Sequence, residues 1–168
     1  MVQPFTPEFL ADMPYEPTVL FFDQIEELDR EASRVICRMP TLQPMPFTDQ
    51  QRVHPVRHPK HVSGALMIQL TGNLGFVHAY HLEGLRHCDG WIGFGTHIRN
   101  AVYRKLVQPG SPMMCTVTQH KVRRGKSRIF SMYKFQFHHE GDLAFESEQA
   151  AMWMKLDGEN AVPMTIGA

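Results

Sequence analysis

The chain has 168 residues, one domain's worth and enough for roughly two-thirds of the unfolded surface to be buried on folding. Hydrophobic residues make up 43%, and 17 basic residues balance 17 acidic ones, which excludes a disordered or supercharged polymer and argues against wholesale binding to nucleic acid or an anionic membrane. Cys37, Cys88 and Cys115 are odd in number and show no CxxC spacing, so they read as small buried hydrophobes of a reducing cytoplasm, not as a disulfide framework or a zinc knuckle.

The opening Met-Val-Gln-Pro-Phe-Thr-Pro-Glu has no basic or apolar region of the kind that directs export. Residues 18–28 are apolar and then alternating, and residues 32–39 continue with Val35 and Cys37 on one parity. The two stretches predict a hairpin turning at Asp29 to Glu31. Pro40 to Pro46 and Pro55 to Pro59 are dense in proline and predict loop or extended chain. From Gly64 to about His81, the spacing of Leu66, Leu70, Leu74 and Val77 predicts a helix buried on most sides, with Ser63 as its N-cap. Its Gly72 and Gly75 each cost about 1 kcal/mol relative to Ala, a cost expected to be offset by close packing. Gln69, Thr71, Asn73 and His78 interrupt its apolar run, so membrane insertion is not expected.

Four strands follow in the sequence pattern. Residues 91–105 form one, and Met113–Val122, Ser127–His138 and Leu143–Met154 form the others, separated by Arg123-Arg124-Gly125-Lys126 and His139-Glu140-Gly141-Asp142, both of which contain a turn glycine. Two strands, a central helix and four strands in one domain spanning 1–168 is the order of an α+β hotdog fold, a curved antiparallel sheet wrapped around one long helix.

Particular residues sharpen that expectation. Met13-Pro14 followed by Val19-Leu20-Phe21-Phe22-Asp23-Gln24-Ile25 resembles the opening of the bacterial 3-hydroxyacyl-carrier-protein dehydratases, with their Leu-Pro pair and Phe-Leu-Leu-Val-Asp-Arg-Val run. His61-Val62-Ser63-Gly64-Ala65-Leu66-Met67-Ile68-Gln69 is similar to their Met-Pro-Gly-x-Leu-x-x-Glu helix start. Tyr103 to Gly110 resembles their Phe-x-x-Pro-Val-x-Pro-Gly segment, and Val122-Arg123-Arg124-Gly125 their basic turn. The resemblance covers about residues 9–155.

The resemblance implies a site on acyl thioesters, with a His before the helix and an acid on it. His54-Pro55 lies near the place of the family's His, but Gln69 stands at the acid position and Asn73, one turn on, replaces a later helix Gln. An amide can hold water or a carbonyl but cannot exchange a proton near pH 7. More distantly, the chain resembles long-chain acyl-CoA thioesterases, which hydrolyse with asparagines and a His comparable to His61. The expected catalytic set is therefore His54, His61, Gln69 and Asn73, with the Gly64 and Ala65 N–H groups at the helix start facing an oxyanion.

Phe76, Tyr80, Trp91, Phe94, Tyr103 and Phe135 are the candidates to line an acyl channel, or else to be simply core. Arg123, Arg124 and Lys126 could meet an acidic carrier protein or the phosphates of CoA, or be a solvated turn. His54, His58 and His61 have a helical metal-site spacing, but Pro55 and Pro59 forbid that helix and no metal is expected. No cofactor is expected beyond CoA or phosphopantetheine as part of the substrate. Thioester hydrolysis is the leading reading, with dehydration or isomerisation of a 3-hydroxyacyl thioester and silent acyl binding as alternatives. Uncovered sheet edges tend to pair, so a homodimer or an assembly of dimers is expected.

Overall fold

Alternating apolar residues build one antiparallel sheet, described by a computed structural model over residues 2–156. Its strands are β1 (Gln24–Asp29), β2 (Arg34–Met39), β3 (Trp91–Tyr103), β4 (Met113–Arg124), β5 (Arg128–His139) and β6 (Asp142–Lys155), in spatial order β1-β2-β4-β5-β6-β3. A short helix, α1 (Pro7–Asp12), precedes the sheet, and α2 (Gly64–His78) is the long central one. The sheet's apolar face packs on α2 through Val35, Cys37, Cys115, Val117, Phe135 and Phe137, which meet Leu66, Leu70, Leu74 and Val77 in a single buried cluster. This is the hotdog arrangement anticipated from the element order.

Local chemistry sets the ends of the elements. Ser63 caps α2, its hydroxyl accepting from the Ala65 N–H at 3.3 Å. The β5–β6 hairpin closes through Glu140 and Gly141 with φ of 53° and 85°, the paired positive angles that match a two-residue turn to strand twist. After α2 the chain widens through Ala79–Glu83 and stops at Gly84, φ 67°.

Three expectations need correction. The first strand does not start at residue 18: Pro17–Val19 is a 3-10 turn, Phe21 has φ 61°, and pairing with β2 begins only at Gln24. The reason is Asn73, whose side-chain amide donates to the carbonyls of Val19 (2.6 Å) and Leu20 (2.9 Å), satisfying groups that a strand would have paired with its neighbour. Cys37 and Cys115 are buried opposite one another on β2 and β4, where desolvation holds both thiols protonated, but Cys88 is exposed. Finally, Gly72 and Gly75 are not close-packed, since a Cβ at either would meet no atom within 4 Å. They leave space beside the helix.

Candidate functional site

That space is a groove between α2 and the β3–β6 pair. Its polar part, about 310 Å³, is lined from the helix by Ile68, Gln69, Thr71 and Gly72, from β3 by Gly95 to Ile98, and by Gln149 of β6. Its adjoining aromatic part, about 200 Å³, runs past Gly75, Phe76, Gly93 and Phe94 to Phe135 and Trp153. Glycines on both walls, Gly72 and Gly75 against Gly95, keep the groove open because none presents a side chain to fill it. At the aromatic end, the Trp153 indole lies across Gly93, in the place where a Cβ would stand. A hydrogen bond from Trp153 Nε1 to the Tyr133 hydroxyl at 3.2 Å and an edge contact with Phe76 fix the indole as a rigid wall.

Gln69 is held in one orientation. Its Nε2 donates to Asn73 Oδ1 at 3.2 Å, and Asn73 is fully buried with both N–H groups committed to the Val19 and Leu20 carbonyls. Asn73 Oδ1 can only accept, so the Gln69 amide nitrogen must face it. Gln69 Oε1 and one N–H remain for the groove. Asn73 itself does not line the groove and acts on the site only through Gln69.

Within the single chain, the two histidines expected to serve these amides do not lie beside them. His54 is exposed, and its Nδ1 accepts from the N–H groups of Val56 (3.2 Å) and Arg57 (2.9 Å), stapling the turn in which His54 and His58 are bridged. His61 Nδ1 sits 2.8 Å from the Pro59 carbonyl, and its backbone is clamped on both sides by the Gln51 amide. Neither ring lines the groove, because the prolines of this loop fold it on itself. His58 and His61 stack edge to face at 5.1 Å, yet no group of three metal-ligating side chains converges among the described residues.

The histidine that does line the groove is His97, from the outermost strand. Strand periodicity hides it. The β3–β6 register slips between Gly95 and His97, where Thr96 is bulged out of the ladder with its hydroxyl on the Ala150 carbonyl at 3.2 Å. A bulge re-aims side chains, and it lets consecutive residues from Gly95 to Ile98 reach one groove where a regular strand would send alternate ones away. The readable signal was the Gly93-Phe94-Gly95 spacing, which marks a strand approached closely by a ligand or by another chain segment.

The remaining candidates divide. Phe76, Phe94 and Phe135 line the aromatic part, whereas Tyr80 and Trp91 face a separate hollow beside Phe9 and Met13. Tyr103 covers the start of α2, its hydroxyl donating to the Gly64 carbonyl at 3.1 Å and its ring 3.0 Å from a Cβ position on Gly64. Of the Gly64 and Ala65 pair, the Ala65 N–H is engaged by the Ser63 cap, and Tyr103 lies against Gly64 on its carbonyl side. Arg123, Arg124 and Lys126 are exposed at the β4–β5 turn, away from the polar part, and Arg124 pairs with Glu83 after the helix.

No family model matches the chain, and no curated protein sequence does. Solved structures do. A mutant thioesterase of Pseudomonas aeruginosa superposes with a TM-score of 0.61 at 13% identity, covering 92% of this chain and 96% of that one. A thioesterase of Haemophilus influenzae gives 0.60 at 16%, covering 94% and 96%. A dehydratase heterocomplex of Xenorhabdus doucetiae gives 0.58 at 12%, covering 92% and 94%. At these identities the likeness establishes the fold, and both kinds of enzyme named from the sequence are found on it.

Proposed function

We propose that the chain is an enzyme that hydrolyses acyl thioesters of CoA or of an acyl carrier protein. The observation that carries this reading is the oriented Gln69 amide in a groove whose lining, among the described residues, contains no carboxylate. Dehydration of a 3-hydroxyacyl thioester needs a group that returns a proton to the leaving hydroxyl, and an amide does not supply one. Hydrolysis asks less of this position, since Gln69 Oε1 accepts from a water and aims its lone pair at the thioester carbonyl. The aromatic part beyond Gly72 would hold the acyl group, in keeping with its predominantly apolar walls. Mass spectrometry of acyl and 3-hydroxyacyl thioesters incubated with the protein tests the proposal: free acid is expected, while enoyl thioester or unchanged substrate across the panel overturns it.

Gly72 gives a second test. Gly72→Ala is expected to stabilise the protein by about 0.5–1 kcal/mol, because a helix-interior glycine gains from the added methyl and no atom stands within 4 Å of it. Gly72→Phe instead fills the groove and shortens the longest acyl chain accepted. Thermal melts and a chain-length series read the two effects separately, and equal losses at every chain length would assign the glycine to packing.

Assembly follows from the sheet. The outer edge of β3 has no neighbouring strand among the described residues and carries exposed Ile98, Val102 and Tyr103. Such an edge is a template for pairing, and a second copy would both cover it and wall the open side of the groove. Light scattering at micromolar concentration is expected to show a homodimer or an assembly of dimers; a monomer contradicts this arrangement.

A further inference from the structure

We infer that His97 is the general base of the proposed hydrolysis, an assignment that rests on the hydrolase reading above. It is the histidine that shares the polar part of the groove with Gln69, approaching from β3 while Gln69 approaches from α2. The Thr96 bulge is the local device that brings it there. Other histidine rings are committed elsewhere, His54 in its turn, His61 on the Pro59 carbonyl and His78 on Ser33. His97 is exposed and lines the groove, and among the described residues no hydrogen bond to a side chain or to the backbone engages its ring.

The surroundings leave the His97 ring open to the groove. Of the groups lining the polar part, only His97 and Tyr15 are titratable; the others are amides, hydroxyls, glycines and apolar side chains. On the neighbouring strands, Glu148 of β6 is paired with Arg99 at 3.3 Å and lies 3.9 Å from His120 of β4. A neutral imidazole can take a proton from water.

The step balances with water as the only co-reactant. The water held by Gln69 Oε1 forms its C–O bond to the thioester carbonyl carbon as one of its protons passes to the His97 ring nitrogen. The tetrahedral intermediate then collapses, the C–S bond breaks, and the proton on His97 passes to the departing sulfur. The products are the free acid and the thiol, and His97 is neutral again.

The experiment uses the full chain and the best acyl-CoA of the panel, with thiol release measured from pH 5 to 9 for wild type, His97→Gln and His97→Ala. Loss of a general base is expected to lower kcat about 10²- to 10⁴-fold with little change in KM. The wild-type rate should rise with pH on a limb that both variants lose. Added imidazole should partly restore His97→Ala, a rescue that a merely structural role would not show. A turning-over wild type whose folded His97→Gln variant keeps its rate and its pH profile overturns the assignment and leaves the hydrolase reading standing. A wild type that releases no thiol from any thioester overturns both.

Discussion

Gln69→Ala is expected to lower turnover on the best thioester substrate about a hundredfold and to leave the melting temperature nearly unchanged. The kinetic loss follows from removing one positioned group from the reacting centre, worth about 3 kcal/mol of transition-state stabilisation. The fold is spared because Gln69 is exposed and its single hydrogen bond serves only to orient it. Gln69→Glu separates positioning from proton transfer. The new carboxyl stands on the helix face that meets the groove and supplies the exchangeable proton that the amide lacks. A protonated acid on this helix face is what dehydration requires. Enoyl product from 3-hydroxyacyl thioesters is therefore expected in Gln69→Glu and not in the wild type, and the measurement is mass spectrometry of both. Wild-type turnover in Gln69→Ala would place the reacting centre elsewhere.

The parts of this fold legible in the sequence are those set by local pattern. Strand parity identified β4, β5 and β6, the glycine of Glu140-Gly141 marked a turn that does take positive φ, and Ser63 caps α2 as its side-chain chemistry suggests. Illegible were the features set by tertiary contacts. Residues 18–23 have strand composition, but the Asn73 amide, more than fifty residues later, bonds two of their carbonyls and converts the segment to a turn. His54 stands at the expected sequence position for a catalytic histidine and faces solvent because the proline-rich loop closes on its ring. His97 stands in a strand whose register slips by one residue, and parity cannot locate a bulge. Gly72 and Gly75 showed that the helix interior was unusual; whether they admitted a neighbouring chain or left a void depended on the opposite wall, where Gly95 also stands.

Asn73→Leu is expected to lower stability by about 3 kcal/mol, a melting-temperature drop of roughly 6–12 °C for a domain of this size. Leucine matches the amide in shape, so the packing of α2 against the core is largely kept and the loss is chiefly polar. It strips the part-buried Val19 carbonyl and the buried Leu20 carbonyl of their donors, and each unsatisfied buried group costs about 1–3 kcal/mol. The turn at Pro17–Val19 and the positive φ of Phe21 then lose the contact that holds them. Gln69 is affected in the same step, since its N–H no longer has an acceptor and its Oε1 no longer has a fixed direction. Turnover in Asn73→Leu should therefore fall even below the new melting temperature, where the protein is still folded. The two roles are separable by a double-mutant cycle. If Asn73 acts on catalysis only through Gln69, adding Asn73→Leu to Gln69→Ala costs stability as before but almost no further turnover. An additive loss of turnover in the double variant would show that Asn73 reaches the reaction by a route other than the Gln69 amide.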